Sequence, residues 1–356
     1  MNRIDWIVLK RIMSRVMLSI TLFFGLIALV ESIDQWRFNY LSSVGGVQLA
    51  LLGIVVSAAT WLLKALPVVV LVGAVVGVVD LQSRRELTAV KAAGASMWHI
   101  LRAPALALLA LGFAVTLVIE DWVIITNRGI EATLPGDTSG LSSNGGLWLE
   151  QYANGLRYVL QAEHVVNHGK ELQQVSIYLP DGIKQGRIVA PVARLVDDAW
   201  FMPKATRYLA GPPPQQLENY AIPTATTAAD LAIKITNTDD MTFYELGESA
   251  LGNVSDPILR AAVTTRFLRL LALPGLLVGA LFIAFAFTGG YRRTNGYGVP
   301  IIYAILTGFV VFVITEMADR AGSAGVLSPT FAACGPAFVA VIIGLTVLLY
   351  KEDGWA

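Results

Sequence analysis

The chain has 356 residues, 55% of them hydrophobic and 15% charged, with a mean hydropathy of +0.62. That is the composition of a membrane protein, not of a soluble one. Lysine plus arginine (26) balance aspartate plus glutamate (26), so no overall basic bias points to nucleic acid, and the single Cys334 leaves no partner for an intramolecular disulfide.

Residues 2–15 mix Arg3, Lys10, Arg11 and Arg15 with Ile4, Trp6, Ile7, Leu9, Ile12 and Met13. The pattern predicts an amphipathic basic segment at the membrane interface. Residues 16–33 form the first predicted span. This run is too long for the apolar core of a cleaved leader, and no small-residue cleavage site follows it, so no leader is expected. Residues 34–46, with Asp34, Arg37 and Gly45-Gly46, are predicted as a short loop. The apolar stretch 47–81 follows, with Lys64 as the one charge well inside it. At about 1.5 Å per residue it exceeds a hydrocarbon core of roughly 30 Å. Pro67 is expected to kink it, and one end to project from the bilayer. Gly73 and Gly77 make a small-xxx-small face that admits a close neighbour.

The next stretch is Ser83-Arg84-Arg85-Glu86-Leu87-Thr88-Ala89-Val90-Lys91-Ala92-Ala93-Gly94. It joins two spans yet carries its own helix signals. Ser83 with Glu86 has the spacing of a capping box. Leu87 and Val90 fall on one face. Lys91 suits the last turn, and Gly94 offers a left-handed end. A reversal of direction needs only a turn. A separately bounded helix suggests a handle that another protein grips. The bland alternatives are that Glu86 only closes its cap and that Arg84 and Arg85 only anchor the membrane side. Residues 99–119 form the third span, ending at Glu120-Asp121-Trp122.

Between residues 127 and 255 the pattern shifts to alternation. Residues 146–152 and 156–160 flank Asn154-Gly155, a hairpin signal. Residues 172–179 and 187–196 read as strands about the turn Asp181-Gly182. Residues 200–209 and 232–236 are weaker candidates, and Gly211-Pro212-Pro213-Pro214 a stiff loop or edge. Short strands spaced by turns predict a small β-sandwich or jelly roll, with Trp148 in its core. Residues 243–251 read as helix.

Three more spans follow, near 268–287, 299–317 and 329–350. Arg260, Arg266 and Arg269 precede the first of them, and Pro274, Gly275 and Gly279 lie within it. The fold class is therefore a six-span helical membrane protein with an all-β domain. Its divisions are 1–126, 127–255 and 256–356. Arg3, Lys10, Arg11, Arg15, Arg84, Arg85, Lys91, Arg292, Arg293 and Lys351 fall on one side of the membrane, while the short loops of the other side carry Arg37 and Arg320. The charge bias puts both termini and the handle in the cytoplasm and the β-domain across the membrane.

No site for chemistry emerges. His99, His164 and His168 are dispersed, no phosphate-binding glycine loop or serine elbow occurs, and no metal site is expected. Nucleotide hydrolysis, if any, belongs to another chain. Lys64 within a span faces protein or water, or snorkels. Glu31, Asp34 and Arg37 read either as a solvated helix end or as the rim of a lipid-binding cavity. Two further classes stay open. An ion-coupled secondary transporter needs ionisable groups at mid-membrane and repeat symmetry; a membrane scaffold needs no handle.

The handle sequence ending in Ala92-Ala93-Gly94, together with Gly146-Leu147-Trp148-Leu149 and Val175-Ser176-Ile177-Tyr178, resembles the lipopolysaccharide-export permeases of the LptF/LptG family. Three spans, a β-domain and three spans match that layout over essentially the whole chain. The Ala-Ala-Gly form and the C-terminal segment are more similar to LptG. The resemblance implies an inner-membrane half-transporter with a periplasmic jelly roll. It implies an LptF-type partner, two LptB-type ATPases that bind ATP and magnesium, an LptC-type subunit with a further jelly roll, and an LptA-type bridge. Lipopolysaccharide is the implied cargo, and Glu86 the implied carboxylate that docks in the ATPase. Family members often carry lysines where this chain has residues 28–37, with Glu31, Asp34 and only Arg37. Glu31, Asp34, Arg37, Lys64, Arg266 and Arg269 are the candidate lipid contacts.

Overall fold

The computed structural model describes residues 3–92, 94, 96–131, 133, 147–153, 156–166, 171–179, 186–196, 199–209, 212–224, 238–252, 254, 256–289 and 298–352. The turns at Asn154-Gly155 and Asp181-Gly182, His168, the strand 232–236 and the basic loop 290–296 lie outside the described residues. Two compact units emerge, one from Met1–Ile130, Thr242–Gly247 and Thr264–Ala356, the other from Glu131–Met241 and Glu248–Val263.

The first unit is helical. Its elements are α1 (Arg3–Glu31), α2 (Gln35–Ser83), α3 (Glu86–Ala92), α4 (Met97–Ala114), α5 (Glu120–Glu131), most of α7 (Pro257–Thr288), α8 (Gly298–Ser323) and α9 (Pro329–Glu352). Among the described residues, six helices are long and apolar enough to cross a membrane: Asp5–Glu31, Gln35–Ser83, Met97–Glu131, Pro257–Thr288, Gly298–Ser323 and Pro329–Tyr350.

Three expectations about these spans change. The predicted loop 34–46 is mostly helix: Asp34 caps α2 by accepting from the Arg37 amide at 3.3 Å. The backbone of α2 leaves helical angles at Gly45 and Gly46, where Gly46 has φ 75, and stays helical through Pro67. A glycine takes a positive φ without a Cβ clash, so the break falls there rather than at the proline. The third span also runs past residue 119. One π-turn, Val115–Ile119, passes the helix on to α5, so Glu120 and Asp121 are buried inside it rather than closing it.

Close approach holds the helices together. A Cβ on Gly73 would stand 2.6 Å from the Val16 Cα, and one on Gly77 3.2 Å from the Ile12 Cα, so α2 lies backbone to backbone on α1. The Ser19 hydroxyl donates to the Val69 carbonyl across the same seam at 3.0 Å. Gly279 meets Ala340 of α9, where a Cβ would be 2.8 Å away. The expected companion, Gly275, leaves an ordinary 4.0 Å to Ala337. A short helix, α6 (Phe243–Leu251), begins in this unit. Its Glu245 takes a two-pronged bond from Arg128 at 2.8 and 2.6 Å. The hydrogen-bonded guanidinium holds that carboxyl down at about 2.

The second unit is one antiparallel sheet in sequential order: β1 (Leu147–Ala153), β2 (Leu156–Val166), β3 (Glu171–Leu179), β4 (Gly186–Val196), β5 (Ala199–Leu209) and β6 (Gln215–Pro223). The expected sandwich-like core exists, and a curl in the sheet makes it. The Tyr158 hydroxyl of β2 donates to the Pro223 carbonyl at 2.8 Å, and Thr224 donates to Gln151 of β1 at 2.7 Å, so the end of β6 comes round to the first strands. The ladder breaks along one line through Glu163, Gln174 and Pro191. The next strands break beside it, around Pro203 and Asn219. Gln174 and Asn219 both have φ 52. Such irregularities bend strands and are where proline is tolerated inside a sheet.

Inside the curl lie Leu149, Tyr158, Leu160, Ile177, Ile188 and Trp200. Trp148 does not belong to this core. It is 56% exposed and stacks on Tyr178, centroids 6.1 Å apart. Neighbouring side chains alternate across a strand, and Leu149 takes the inward place. Burial pushes the Tyr158 phenol up to about 12.

Candidate functional site

The handle is a helix with two ends of its own. Leu87 is 1% exposed within the membrane-helix core, and Val90 packs against the same cluster. Lys91 stands in the last turn of α3, and Gly94 has φ 82, the left-handed end expected of it. The start differs from expectation. Ser83 is still the last residue of α2, and its hydroxyl donates to the Asp80 carbonyl at 2.9 Å. Ser83 and Glu86 therefore form no capping box. The chain reverses at Arg85, with φ 59, whose carbonyl accepts the Ala89 amide at 3.0 Å. α2 outlasts its apolar pattern by two residues, which moves the boundary past the serine.

Glu86 is consequently free for another partner, and finds it on α1. Arg11 Nη2 donates to Glu86 Oε1 at 2.9 Å, with both side chains half-buried. Asp80, in the last turn of α2, gathers Arg15 at 3.3 Å, Arg84 at 3.3 Å and Arg11 Nε at 3.8 Å. Arg84 and Arg85 are themselves exposed.

The far root of α3 is tied to the same helix. Ser96 caps α4 through the His99 amide at 3.3 Å. Asp5 of α1, its side chain fully buried, takes Arg102 Nη2 at 2.8 Å and has His99 Nε2 at 3.1 Å. Gln82 donates to the Gly289 carbonyl at 2.8 Å, which fixes the near root to the end of α7. One helix, α1, thus holds both roots of the handle and the handle itself. Sequence reasoning placed Arg11 and Arg15 only as interface anchors and passed over Asp5, Asp80 and Gln82. The available signal was a carboxylate in the last turn of an otherwise apolar span, where a cation would suit the helix dipole better.

The candidate lipid contacts do not form one site. Glu31, Asp34 and Arg37 come together around a small pocket that Leu41, Gly53 and Ser57 also line. There Arg37 Nη1 donates to the Ser57 hydroxyl at 2.9 Å. Lys64 lies 5.7 Å over the Trp61 ring. Arg266 is buried against Glu120 at 2.7 Å, and Arg269 bonds Asp319 with Glu316 at 3.7 Å. Those two guanidinium charges are answered within the chain, between helices. Among the described residues, no group of three or more histidine, cysteine, aspartate or glutamate side chains gathers for a metal.

The arrangement is a short helix tied at both roots, and along its own length, to α1. A rigid short helix rooted at both ends moves with the helices that root it. The model of one protein family, described as lipopolysaccharide export system permease LptF/LptG, matches residues 6–350. No curated protein matches the chain.

Proposed function

Since this chain belongs to the lipopolysaccharide export system permease family LptF/LptG, we propose that it is the LptG-type half of an ATP-driven exporter. In this reading an LptF-type permease is its partner, and two LptB-type ATPases bind the ATP and magnesium. Lipopolysaccharide leaves the outer leaflet of the inner membrane and passes by the sheet, an LptC-type subunit and an LptA-type bridge. Both termini and α3 face the cytoplasm, and the sheet faces the periplasm. Six candidate spans and the basic residues about α3 support that orientation.

The observation that carries the reading is the handle. Between its turns at Arg85 and Gly94, α3 is bound to α1 by Glu86 and to the helix core by Leu87. A displacement of an ATPase that grips α3 reaches α1 and α2 through packed side chains and ion pairs, not through a slack loop. Glu86 positions the handle on α1. Arg37 is the headgroup contact, while Arg266 and Arg269 hold helices together.

The test uses the tagged chain in lipid nanodiscs, with the copurifying ATPase assayed with and without lipopolysaccharide. Wild type brings down an ATPase that responds to the lipid. Glu86→Arg and Arg11→Glu each uncouple it, and the double swap restores coupling. Restoration that fails, with ATPase binding lost, makes Glu86 a direct docking contact. If wild type brings down no ATPase, the exporter reading falls. Lipopolysaccharide crosslinking that Arg37→Ala leaves unchanged removes Arg37 from the lipid path.

A further inference from the structure

The face of the sheet opposite its core carries an aromatic row with a cation. Trp148 of β1 stacks on Tyr178 of β3 with planes 12° apart. Arg187 of β4 lies over the Tyr178 ring, 5.4 Å from its centroid, and donates to the Ser176 hydroxyl at 2.9 Å. The Tyr178 hydroxyl donates to Gln161 of β2 at 3.2 Å. Tyr208 of β5 pairs directly opposite Arg187 and is 46% exposed. All of these residues sit on one side of the line where the ladder breaks.

Cross-strand pairs of this kind stabilise a sheet, but that alone does not require an indole left more than half open. Among the described residues, the other exposed tryptophans, Trp6, Trp36, Trp61, Trp98 and Trp122, belong to candidate spans, where lipid covers them. Trp148 belongs to a sheet strand and to no candidate span. Arg187 makes no ion pair among the described residues, so its remaining donors are open to an anion.

We propose that this face binds the anionic saccharide portion of the lipopolysaccharide, a proposal that rests on the export reading. A sugar ring presents a face of C–H bonds that covers an aromatic plane. Its hydroxyls find the amide of Gln161 and the phenol of Tyr208. Its acidic substituents find Arg187. The apolar curl on the other side of the sheet has none of this chemistry.

The experiment uses the full chain in nanodiscs with three probes: lipopolysaccharide bearing its saccharide, lipid A alone, and the soluble anionic oligosaccharide freed from the lipid by mild acid. Trp148→Ala and Arg187→Gln each bind the two saccharide probes about fivefold more weakly and lipid A as wild type does. Trp148→Tyr, which keeps an aromatic plane, recovers most of the loss. Near-ultraviolet circular dichroism from buried Trp200 verifies that the sheet is intact in each variant. If the variants bind all three probes like wild type, the saccharide face is overturned and the export reading stands. If wild type binds neither lipopolysaccharide nor lipid A, the export reading fails first. If the variants instead lose a copurifying periplasmic protein, the face docks protein and the proposal is overturned.

Discussion

The helical unit and the sheet unit place their side chains in opposite ways. Leu22, Leu26, Leu29, Leu306, Phe309 and Val310 are all more than half exposed on helices, while Asp5, Glu120 and Arg266 are buried among them. In the sheet, Leu160, Ile177 and Trp200 are fully buried, and Arg187 and Arg194 lie outside. Each unit obeys its own solvent. Lipid gives no hydrophobic drive for helices to associate, so close glycine seams and interhelical polar pairs must do it. Water supplies that drive to the sheet directly.

The sharpest way to break the comparison is to remove the anchor of each unit. In the sheet, Trp200→Ala is expected to cost about 3–5 kcal/mol by emptying a closed core. Exposed Trp148→Ala should cost less than about 1 kcal/mol. Thermal melts of the full chain followed by near-ultraviolet circular dichroism decide this, and equal losses would return Trp148 to the core. In the helical unit, Arg266→Leu leaves the Glu120 carboxylate buried without that guanidinium and should cost about 3–5 kcal/mol. Adding Glu120→Leu should recover most of it. Denaturant unfolding in detergent gives the answer, and a double variant as unstable as the single would show that the pair itself matters little.

A subtler contrast is in pH. Tyr158 is buried as a neutral phenol, with its pKa raised from 10.0 to about 12. A raised folded-state value means that its stabilisation is complete below about pH 10 and is lost as pH climbs towards 12. Up to roughly 2–3 kcal/mol is at stake. The melting temperature should fall over that window in wild type and stay flatter in Tyr158→Phe. Parallel curves for the two proteins would exclude the tyrosine as cause.

The smallest effect belongs to the water-facing pair Arg194–Glu171 at 3.0 Å, whose arginine is largely exposed. Arg194→Gln should change stability by less than about 1 kcal/mol, and salt should erase even that. A larger, salt-resistant loss would mean that the outer face of the sheet bears more of the structure than this comparison allows.

Hydropathy made the six spans readable because a membrane helix needs one long apolar run and little else. Gly94 marked the end of the handle because a left-handed residue is a local requirement. Strands β1 to β5 showed in alternation. The edge strand β6, largely exposed on both faces, has no apolar side to announce it. Leu147-Trp148-Leu149 could not reveal which way the indole points, since three consecutive apolar residues carry no parity. A local motif also misled: Ser83 and Glu86 have capping spacing, but a longer α2 took the serine and Arg11 took the glutamate.

By itself, then, the sequence determined the elements that depend on near neighbours: spans, most strands, a glycine-ended handle and its basic flank. Tertiary structure decided the partners. Glu120 meets Arg266 across 146 positions, Arg102 meets Asp5 across 97 and Glu86 meets Arg11 across 75. An ion pair depends on distance in space, and only packed helices bring such distant carboxylates and guanidiniums within hydrogen-bonding reach.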